Sequence, residues 1–191
     1  MSEKWIAIVG SQRKGKNTDL LVDYIIQVLN EKNIMVDKFI LDSNNITTCS
    51  GCECCIRTGK CIVHDDITKI IEEMKVADGY IFASPSYNYN VTAQMKALLD
   101  RTFCLNDYSN GWKSRLSPYK KAIVVGVCKG KAKEAMGYTV ECMSKSLSEL
   151  GVKIIDTIEY YDTKNLPVAN NDRIEDNLFK IINLYEEISN I

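Results

Sequence analysis

Four cysteines stand within thirteen positions of one polar stretch of this 191-residue chain, and their spacing could hold an inorganic cluster. They are Cys49, Cys52, Cys55 and Cys61. Thiolates are the ligands that hold iron–sulfur clusters, and Gly51 and Gly59 would let the stretch fold around one. Zinc fits less well, because structural zinc sites usually pair two short cysteine hooks across a longer spacer. The spacing therefore indicates a small iron–sulfur cluster, with Cys54 as an additional thiol.

A second stretch that could do chemistry is Gly10–Thr18, between an apolar run and a helical pattern. Its glycines allow a tight turn, and the free N–H groups at a helix start point toward an anion. The side-chain donors of the stretch are Ser11, Arg13, Asn17 and Thr18. Gly10 to Lys16 also satisfies G-x-x-x-x-G-K, the start of a nucleotide-binding P-loop. Asn17 stands where that motif needs Ser or Thr for Mg²⁺, so a P-loop hydrolase stays only as a weaker alternative.

Aromatic and amide side chains fill a third stretch, Ser84–Asn90. Pro85 fixes φ and lacks an N–H donor, so a strand must stop there. A flat isoalloxazine ring needs apolar edges to pack on and amide donors at its rim. The stretch offers two tyrosine rings, Tyr87 and Tyr89, and two amides, Asn88 and Asn90. Surface tyrosines that merely cover the core are the alternative interpretation of this stretch, for which a P-loop hydrolase has no use.

Five short apolar runs alternate with helical patterns, which predicts a parallel sheet covered on both faces. The predicted strands are Trp5–Val9, Val36–Leu41, Gly79–Ala83, Ala122–Cys128 and Lys153–Tyr160. The predicted helices are Asp19–Asn30, one from Asp65 through Met74, Thr92–Phe103, Lys133–Leu150 and one from about Arg173 to Ser189. The result is an α/β, three-layer, doubly wound fold of strand order 2-1-3-4-5, in which ligands sit beyond the carboxyl ends of strands one and three. That rim would bring together Gly10–Thr18, Asp42–His64 and Ser84–Asn90.

The first and third stretches resemble the FMN-binding segments of the flavodoxin-like NAD(P)H-dependent FMN reductases. The first matches Gly-Ser-x-Arg-x-x-x-Asn-Thr, and the third matches Ser-Pro-x-Tyr-Asn followed by a helix with Lys-x-x-x-Asp-Arg. The helix residues of that match are Lys96, Asp100 and Arg101. The resemblance runs from Trp5 to about Gly151 and implies one flavodoxin-like FMN-binding domain over residues 1–191, with the cysteine-rich loop 42–65 inserted after strand two.

The same resemblance implies roles for individual residues. The residues expected at the FMN phosphate are Ser11, Arg13, Asn17 and Thr18, and those expected at the ring are Pro85, Ser86, Tyr87, Asn88 and Tyr89. Cys128, Lys129 and Gly130 would occupy a further flavin-facing loop after the fourth strand. No side chain is expected to act as nucleophile or general base, because the flavin carries the chemistry.

The cysteine spacing resembles that of the iron–sulfur flavoproteins, a branch of the same group with a [4Fe–4S] cluster beside FMN. This implies a cluster held by Cys49, Cys52, Cys55 and Cys61. Related flavoproteins carry a similar cysteine stretch, followed by an Asp-Asp pair, without a demonstrated cluster. Asp65 and Asp66 fit either branch, so a cluster and a bare thiol loop are both open interpretations.

Composition gives no footprint for binding nucleic acid or an anionic membrane, because 24 Lys and Arg nearly balance 25 Asp and Glu. The sequence shows no signal-peptide pattern, and its longest apolar runs are too short to span a bilayer. We therefore expect a cytoplasmic protein whose eight cysteines stay reduced.

We expect an FMN-dependent oxidoreductase that moves electrons from NAD(P)H or a ferredoxin to a small-molecule acceptor. As in its relatives, assembly as a homodimer or homotetramer is expected. The alternatives are a cluster-free NAD(P)H-dependent FMN or quinone reductase and a non-enzymatic flavodoxin-type electron carrier.

Overall fold

A five-stranded parallel sheet forms the centre of the computed structural model, which describes residues 3–171 and residue 174. The strands are β1 Lys4–Val9, β2 Met35–Ile40, β3 Gly79–Pro85, β4 Asn106–Asp107, β5 Lys113–Ser114, β6 Lys121–Val127 and β7 Lys153–Tyr160. The helices are α1 Asn17–Glu31, α2 Cys54–Thr58, α3 Asp66–Val76, α4 Ala93–Arg101 and α5 Thr139–Glu149. The sheet order is β2-β1-β3-β6-β7, while β4 and β5 pair only with each other. The predicted order 2-1-3-4-5 is therefore confirmed.

The central strands β1, β3 and β6 are buried on both faces, which is why their sequences are continuous apolar runs. On one face Ile6, Phe82 and Val124 pack with apolar residues of α3, α4 and α5. On the other face Val9 and Val125 pack with α1. Three layers result, and the carboxyl ends of the central strands are left as the edge where loops gather.

Thr92 joins the end of β1 to the start of α4. Its buried hydroxyl accepts a hydrogen bond from the Met95 N–H at 3.2 Å and donates one to the Gly10 carbonyl at 2.7 Å. The Thr92 N–H in turn donates to Ser84 Oγ at 3.1 Å. A single N-cap residue thus fixes the ends of β1 and β3 relative to α4.

The predicted helix Lys133–Leu150 is wrong at its start. Lys133–Ala135 forms a single 3₁₀ turn, and α5 begins only at Thr139. Between them Gly137 has a φ of 56°, a left-handed conformation that interrupts the helix. The predicted last helix, from about Arg173 to Ser189, lies outside the described residues.

Among the described residues, no helix has the length and apolar character needed to cross a membrane.

Candidate functional site

A cleft of about 400 Å³ lies where β1, β3 and β6 end. Eight of the eleven residues predicted to contact FMN line it: Ser11, Arg13, Asn17, Thr18, Pro85, Ser86, Tyr87 and Cys128. Lys129, expected in the same region, also lines it. Sequence reasoning did not assign Lys16, Val127, Thr163 and Lys164 to this cleft. Thr163 and Lys164 follow β7, and only the folded structure shows that the loop after β7 reaches the loop after β1.

The N-terminus of α1 forms one end of the cleft and is suited to an anion. Lys16 precedes the helix in an extended conformation, and no side chain caps the helix there. Asn17 Oδ1 instead accepts a hydrogen bond from the Val168 N–H at 2.9 Å, so its amide NH₂ remains as a donor. The first N–H groups of a helix have no partner within it and carry the positive end of its dipole. This helix start is therefore a ready phosphate site.

Asp19 holds the loop between β1 and α1 in place. Its carboxylate accepts hydrogen bonds from the Gly15 N–H at 2.7 Å and from Lys38 Nζ at 2.9 Å. Burial alone would raise the pKa of Asp19, but the bonds from Lys38 and the Gly15 N–H outweigh it and hold this pKa below its usual value. The loop therefore depends on an ionised Asp19.

We expect Asp19→Asn to weaken FMN binding about tenfold and to lower the free energy of unfolding by roughly 1–2 kcal/mol at pH 7. A depressed pKa in the folded state adds stability above the unfolded pKa of about 3.9, and this stability is lost as pH falls through the folded value. Urea unfolding at pH 7 and at pH 3 should therefore show a smaller difference between variant and wild type at pH 3.

Asp23→Asn is the control for Asp19→Asn. Asp23 pairs with the same Lys38 nitrogen at 2.5 Å, but it is half exposed and does not contact the loop. Its replacement should change stability by less than about 0.5 kcal/mol and leave FMN affinity unchanged. Equal effects of the two variants would contradict a loop-holding role for Asp19.

The third loop contains a tight two-residue turn that presents Tyr87 to the cleft. The N–H of Tyr87 donates to the Asn90 carbonyl at 2.8 Å, and the Asn90 N–H donates back to the Tyr87 carbonyl at 3.2 Å. Asn88 and Tyr89 between them have φ of 49° and 66°. Positive φ at both central positions defines a type I′ turn. Neither Asn88 nor Tyr89 is on the cleft wall, and their contact with a flavin stays a prediction.

The turn is supported by the segment before α5. The Tyr138 N–H donates to the Tyr89 carbonyl at 2.8 Å. Gly137 lies so close that a Cβ there would be 2.2 Å from the same carbonyl oxygen. Ser86 Oγ donates within the same segment, 2.9 Å from the Ala135 carbonyl oxygen. An aromatic residue with positive φ costs of order 1–3 kcal/mol, and these contacts hold Tyr89 there.

Cys128 and Gly130 belong to the loop after β6. Cys128 is buried on the cleft wall, and burial raises the pKa of its thiol. Its Sγ lies 3.3 Å from the Gly130 carbonyl oxygen, which also accepts the Asp162 N–H at 2.7 Å. A Cβ at Gly130 would be 2.3 Å from Ala135 Cβ. Gly130 thus permits close packing behind the cleft, and its predicted contact with a flavin is untested.

A second cavity, of about 410 Å³, lies between the cysteine-rich loop and the C-terminal end of α4. All four predicted cluster ligands line it: Cys49, Cys52, Cys55 and Cys61. Buried Cys104 is a fifth thiol on its wall, and burial together with the nearby thiols raises its pKa to about 11. Cys54 is not on this wall. We call this space the cysteine cavity.

We expected the whole loop 42–64 to lie at the same edge of the sheet as Gly10–Thr18 and Ser84–Asn90. The position of the cysteine cavity shows that this expectation is wrong for most of the loop. Only the beginning of the loop lies there, where Gln12 Nε2 donates to Asp42 Oδ1 at 3.0 Å. In the described part of the chain, no residue lines both the cleft and the cysteine cavity. Thr92 marks the start of α4 near the cleft, and Arg101 marks its end at the cysteine cavity. The nine residues of α4 correspond to about 13 Å of helix.

The cysteine cavity brings together four thiols, which are the ligands that iron–sulfur clusters use. Across the described residues, no three His, Cys, Asp or Glu side chains lie close enough together to hold one metal ion.

Three aromatic side chains cluster beside the cysteine cavity. The ring of Phe103, which lines it, lies 4.8 Å from that of Tyr108, and Trp112 lies 4.2 Å from Tyr108 between ring centres. Burial and the nearby Cys55 and Cys104 thiols raise the pKa of the Tyr108 hydroxyl to about 12. Tyr108 is thus a neutral neighbour of the thiols. These rings place the irregular stretch 105–118 against the cysteine cavity.

Comparison with known proteins places the chain in a family. The model of the family described as NADPH-dependent FMN reductase matches residues 4–165. An iron-sulfur flavoprotein of Archaeoglobus fulgidus is 33% identical over 150 residues, which are 78% of this chain and 64% of that protein. One from Methanocaldococcus jannaschii is 40% identical over 99 residues, 52% of this chain and 51% of that protein. The chain thus spans less than two thirds of the length of these relatives.

The fold also occurs in solved structures. An FMN-dependent NADH-azoreductase from Bacillus anthracis, solved in complex with FMN, has a TM-score of 0.66 and covers 98% of this chain. The match covers 99% of the azoreductase at 13% sequence identity. At that identity the similarity establishes a common fold.

Proposed function

Because this chain belongs to the NADPH-dependent FMN reductase family, we propose that it is an FMN-dependent oxidoreductase that also carries an iron–sulfur cluster. It would move electrons between a reduced donor, NAD(P)H or a ferredoxin, and a small-molecule acceptor. The observation that supports this best is the presence of two separate cavities, one at an uncapped helix start and one lined by the four spaced thiols.

Bound FMN supplies hydride and single-electron transfer. In the cleft, the free N–H groups of α1 with Arg13 and Lys16 would bind the phosphate, since they offer donors and positive charge. Pro85 and Tyr87 would pack against the ring and exclude water from it. The raised pKa of Cys128 keeps its thiol neutral on the cleft wall. Cys128 therefore adds no negative charge that would oppose reduction of a flavin bound there.

A bound [4Fe–4S] cluster supplies one-electron transfer. The cysteine cavity would hold it through Cys49, Cys52, Cys55 and Cys61. Phe103 on the cavity wall would limit the access of water, which influences the reduction potential of such centres. Assembly as a homodimer or homotetramer and a cytoplasmic location stay predictions.

The test is an ultraviolet–visible spectrum with iron and acid-labile sulfide assays on protein purified without oxygen. Flavin bands over a broad brown shoulder, with about four irons per chain, are the expected result. Flavin bands without iron would leave a cluster-free reductase, and protein without flavin would remove the proposal. Steady-state oxidation of NADH or NADPH with a quinone acceptor then separates an enzyme from a non-enzymatic electron carrier.

A further inference from the structure

Arg101 is a buried cation whose position the FMN cleft does not explain. It ends α4, its side chain has 0% exposure, and it lines the cysteine cavity. Burying a guanidinium is costly unless its N–H groups are bonded and its charge is balanced. A cation in this location therefore needs a structural or electrostatic reason.

The hydrogen bonds of Arg101 all lead to the two ends of the cysteine-rich loop. Its Nη1 donates to the Thr47 carbonyl at 3.1 Å and to Asp65 Oδ2 at 2.5 Å. Its Nη2 donates to Thr68 Oγ1 at 2.7 Å and to the Val63 carbonyl at 3.2 Å. Thr47 precedes the first cavity cysteine, and the other three partners follow the last. One side chain therefore closes the loop that carries all four thiols.

Arg101 also brings positive charge to the thiols themselves. Arg101 lines the same cavity as Cys49, Cys52, Cys55 and Cys61. Its Nε is buried and has no hydrogen-bond partner among the described residues, so one donor remains unused at the cavity wall. Asp65 forms an ion pair with Nη1 of the same guanidinium at 2.5 Å. Because the Arg101 side chain has 0% exposure, solvent screens its charge less than it would at the surface.

We propose that Arg101 is the positioning and charge-tuning residue of the cysteine cavity: it holds the loop closed and raises the reduction potential of the cluster bound there. This inference rests on the proposed function, since it requires a cluster in the cavity. One-electron reduction adds one negative charge to the centre, and an adjacent buried cation stabilises that reduced state over the oxidised one. Removal of the cation should therefore make the cluster harder to reduce.

The test is a redox titration of the anaerobically purified full chain, followed by the electron paramagnetic resonance signal of the reduced cluster. Arg101→Gln should lower the equilibrium constant for one-electron reduction at least tenfold, a shift of about 59 mV. Arg101→Lys keeps the charge and loses most of the hydrogen bonds. It should stay within about threefold of wild type in the titration, yet be cut faster by protease between residues 47 and 63.

Arg115→Gln is the matched control, since Arg115 also contacts the cysteine-rich loop. Its guanidinium packs on Gly59, but it is partly exposed, pairs with Asp107 at 2.9 Å and does not line the cysteine cavity. Its replacement should leave the potential unchanged, because solvent screens that charge. An equal shift in both variants would overturn the specific role of Arg101.

The remaining outcomes separate this inference from the proposed function. Wild-type protein without iron overturns both, whereas Arg101→Gln with iron and an unchanged potential overturns this inference alone. If Arg101→Gln cannot be purified with iron, the iron content and the reduction potential of Arg101→Lys test the inference instead. Iron retained at the wild-type potential supports the inference, and loss of iron or a lowered potential in Arg101→Lys overturns it.

Discussion

Replacing Cys55 by serine is expected to abolish cluster binding while FMN stays bound. Cys55 lies on the wall of the cysteine cavity and is one of four thiols there with the predicted spacing. Serine keeps the size of the side chain but removes the thiolate that an iron of the cluster requires. Iron and labile sulfide should fall to about a tenth of the wild-type content or less. Flavin content should remain, because the cleft and the cysteine cavity share no described wall residue.

Cys54→Ser is the matched control for this experiment. Cys54 is the preceding residue of the same helix, α2, and does not line the cysteine cavity. Iron and flavin content should therefore both remain at the wild-type level. Iron binding that survives Cys55→Ser, or that is lost equally in both variants, would contradict the assignment of the thiols. Loss of flavin in Cys55→Ser alone would show that the two cavities are energetically coupled.

The sheet could be predicted from the sequence because its central strands are buried on both faces. Trp5–Val9 and Ala122–Val127 are apolar runs of strand length, and each is followed by a loop and a helix. Such alternation leaves few arrangements other than a parallel sheet, since right-handed crossovers restrict the connections. The stretches Gly10–Thr18 and Ser84–Asn90 must then meet at the carboxyl edge, and seven of their nine residues predicted to contact FMN do line one cleft.

The location of the thiols could not be predicted in the same way. A long loop is anchored by side-chain contacts that leave no periodic pattern in the sequence. Here the anchor is the ion pair between Asp65 and Arg101, together with the Arg101 bonds to Thr47 and Val63. In the sequence, the two charged residues belong to separate patterns, Asp65 to the Asp-Asp pair after the cysteines and Arg101 to the Lys-x-x-x-Asp-Arg helix. The only hint in the sequence is that an Asp ends the loop and an Arg ends α4. Which acidic residue pairs with that Arg is decided by the fold.

The start of α5 shows a different limit. The helical pattern from Lys133 continues through Gly137, and an isolated glycine in such a pattern is usually tolerated. What ends the pattern is a contact distant in sequence, because the Tyr89 carbonyl occupies the space beside Gly137. The glycine is thus required by the turn between Tyr87 and Asn90 and not by its own neighbours in sequence.

Because of this contact, we expect Gly137→Ala, which adds a single methyl group, to reduce both stability and FMN affinity strongly. The added Cβ would lie 2.2 Å from the Tyr89 carbonyl oxygen and 2.5 Å from Tyr89 Cβ, and the residue has a φ of 56°. The turn must then move, and with it Tyr87 on the cleft wall. We expect the free energy of unfolding to fall by about 3 kcal/mol or more and the affinity for FMN to fall at least tenfold. Urea unfolding of the FMN-free protein and quenching of FMN fluorescence measure the two effects separately.

Gly151→Ala separates steric overlap from backbone strain. Gly151 also has a positive φ, of 75°, but a Cβ there would meet nothing within 4 Å, and it does not line the cleft. This variant should lose only about 1–2 kcal/mol for the left-handed conformation and bind FMN as wild type does. If Gly137→Ala costs no more than Gly151→Ala, the turn yields without strain and Tyr89 is not held by this contact. If Gly137→Ala is strongly destabilised and FMN affinity is unchanged, Tyr87 does not contribute to the flavin site.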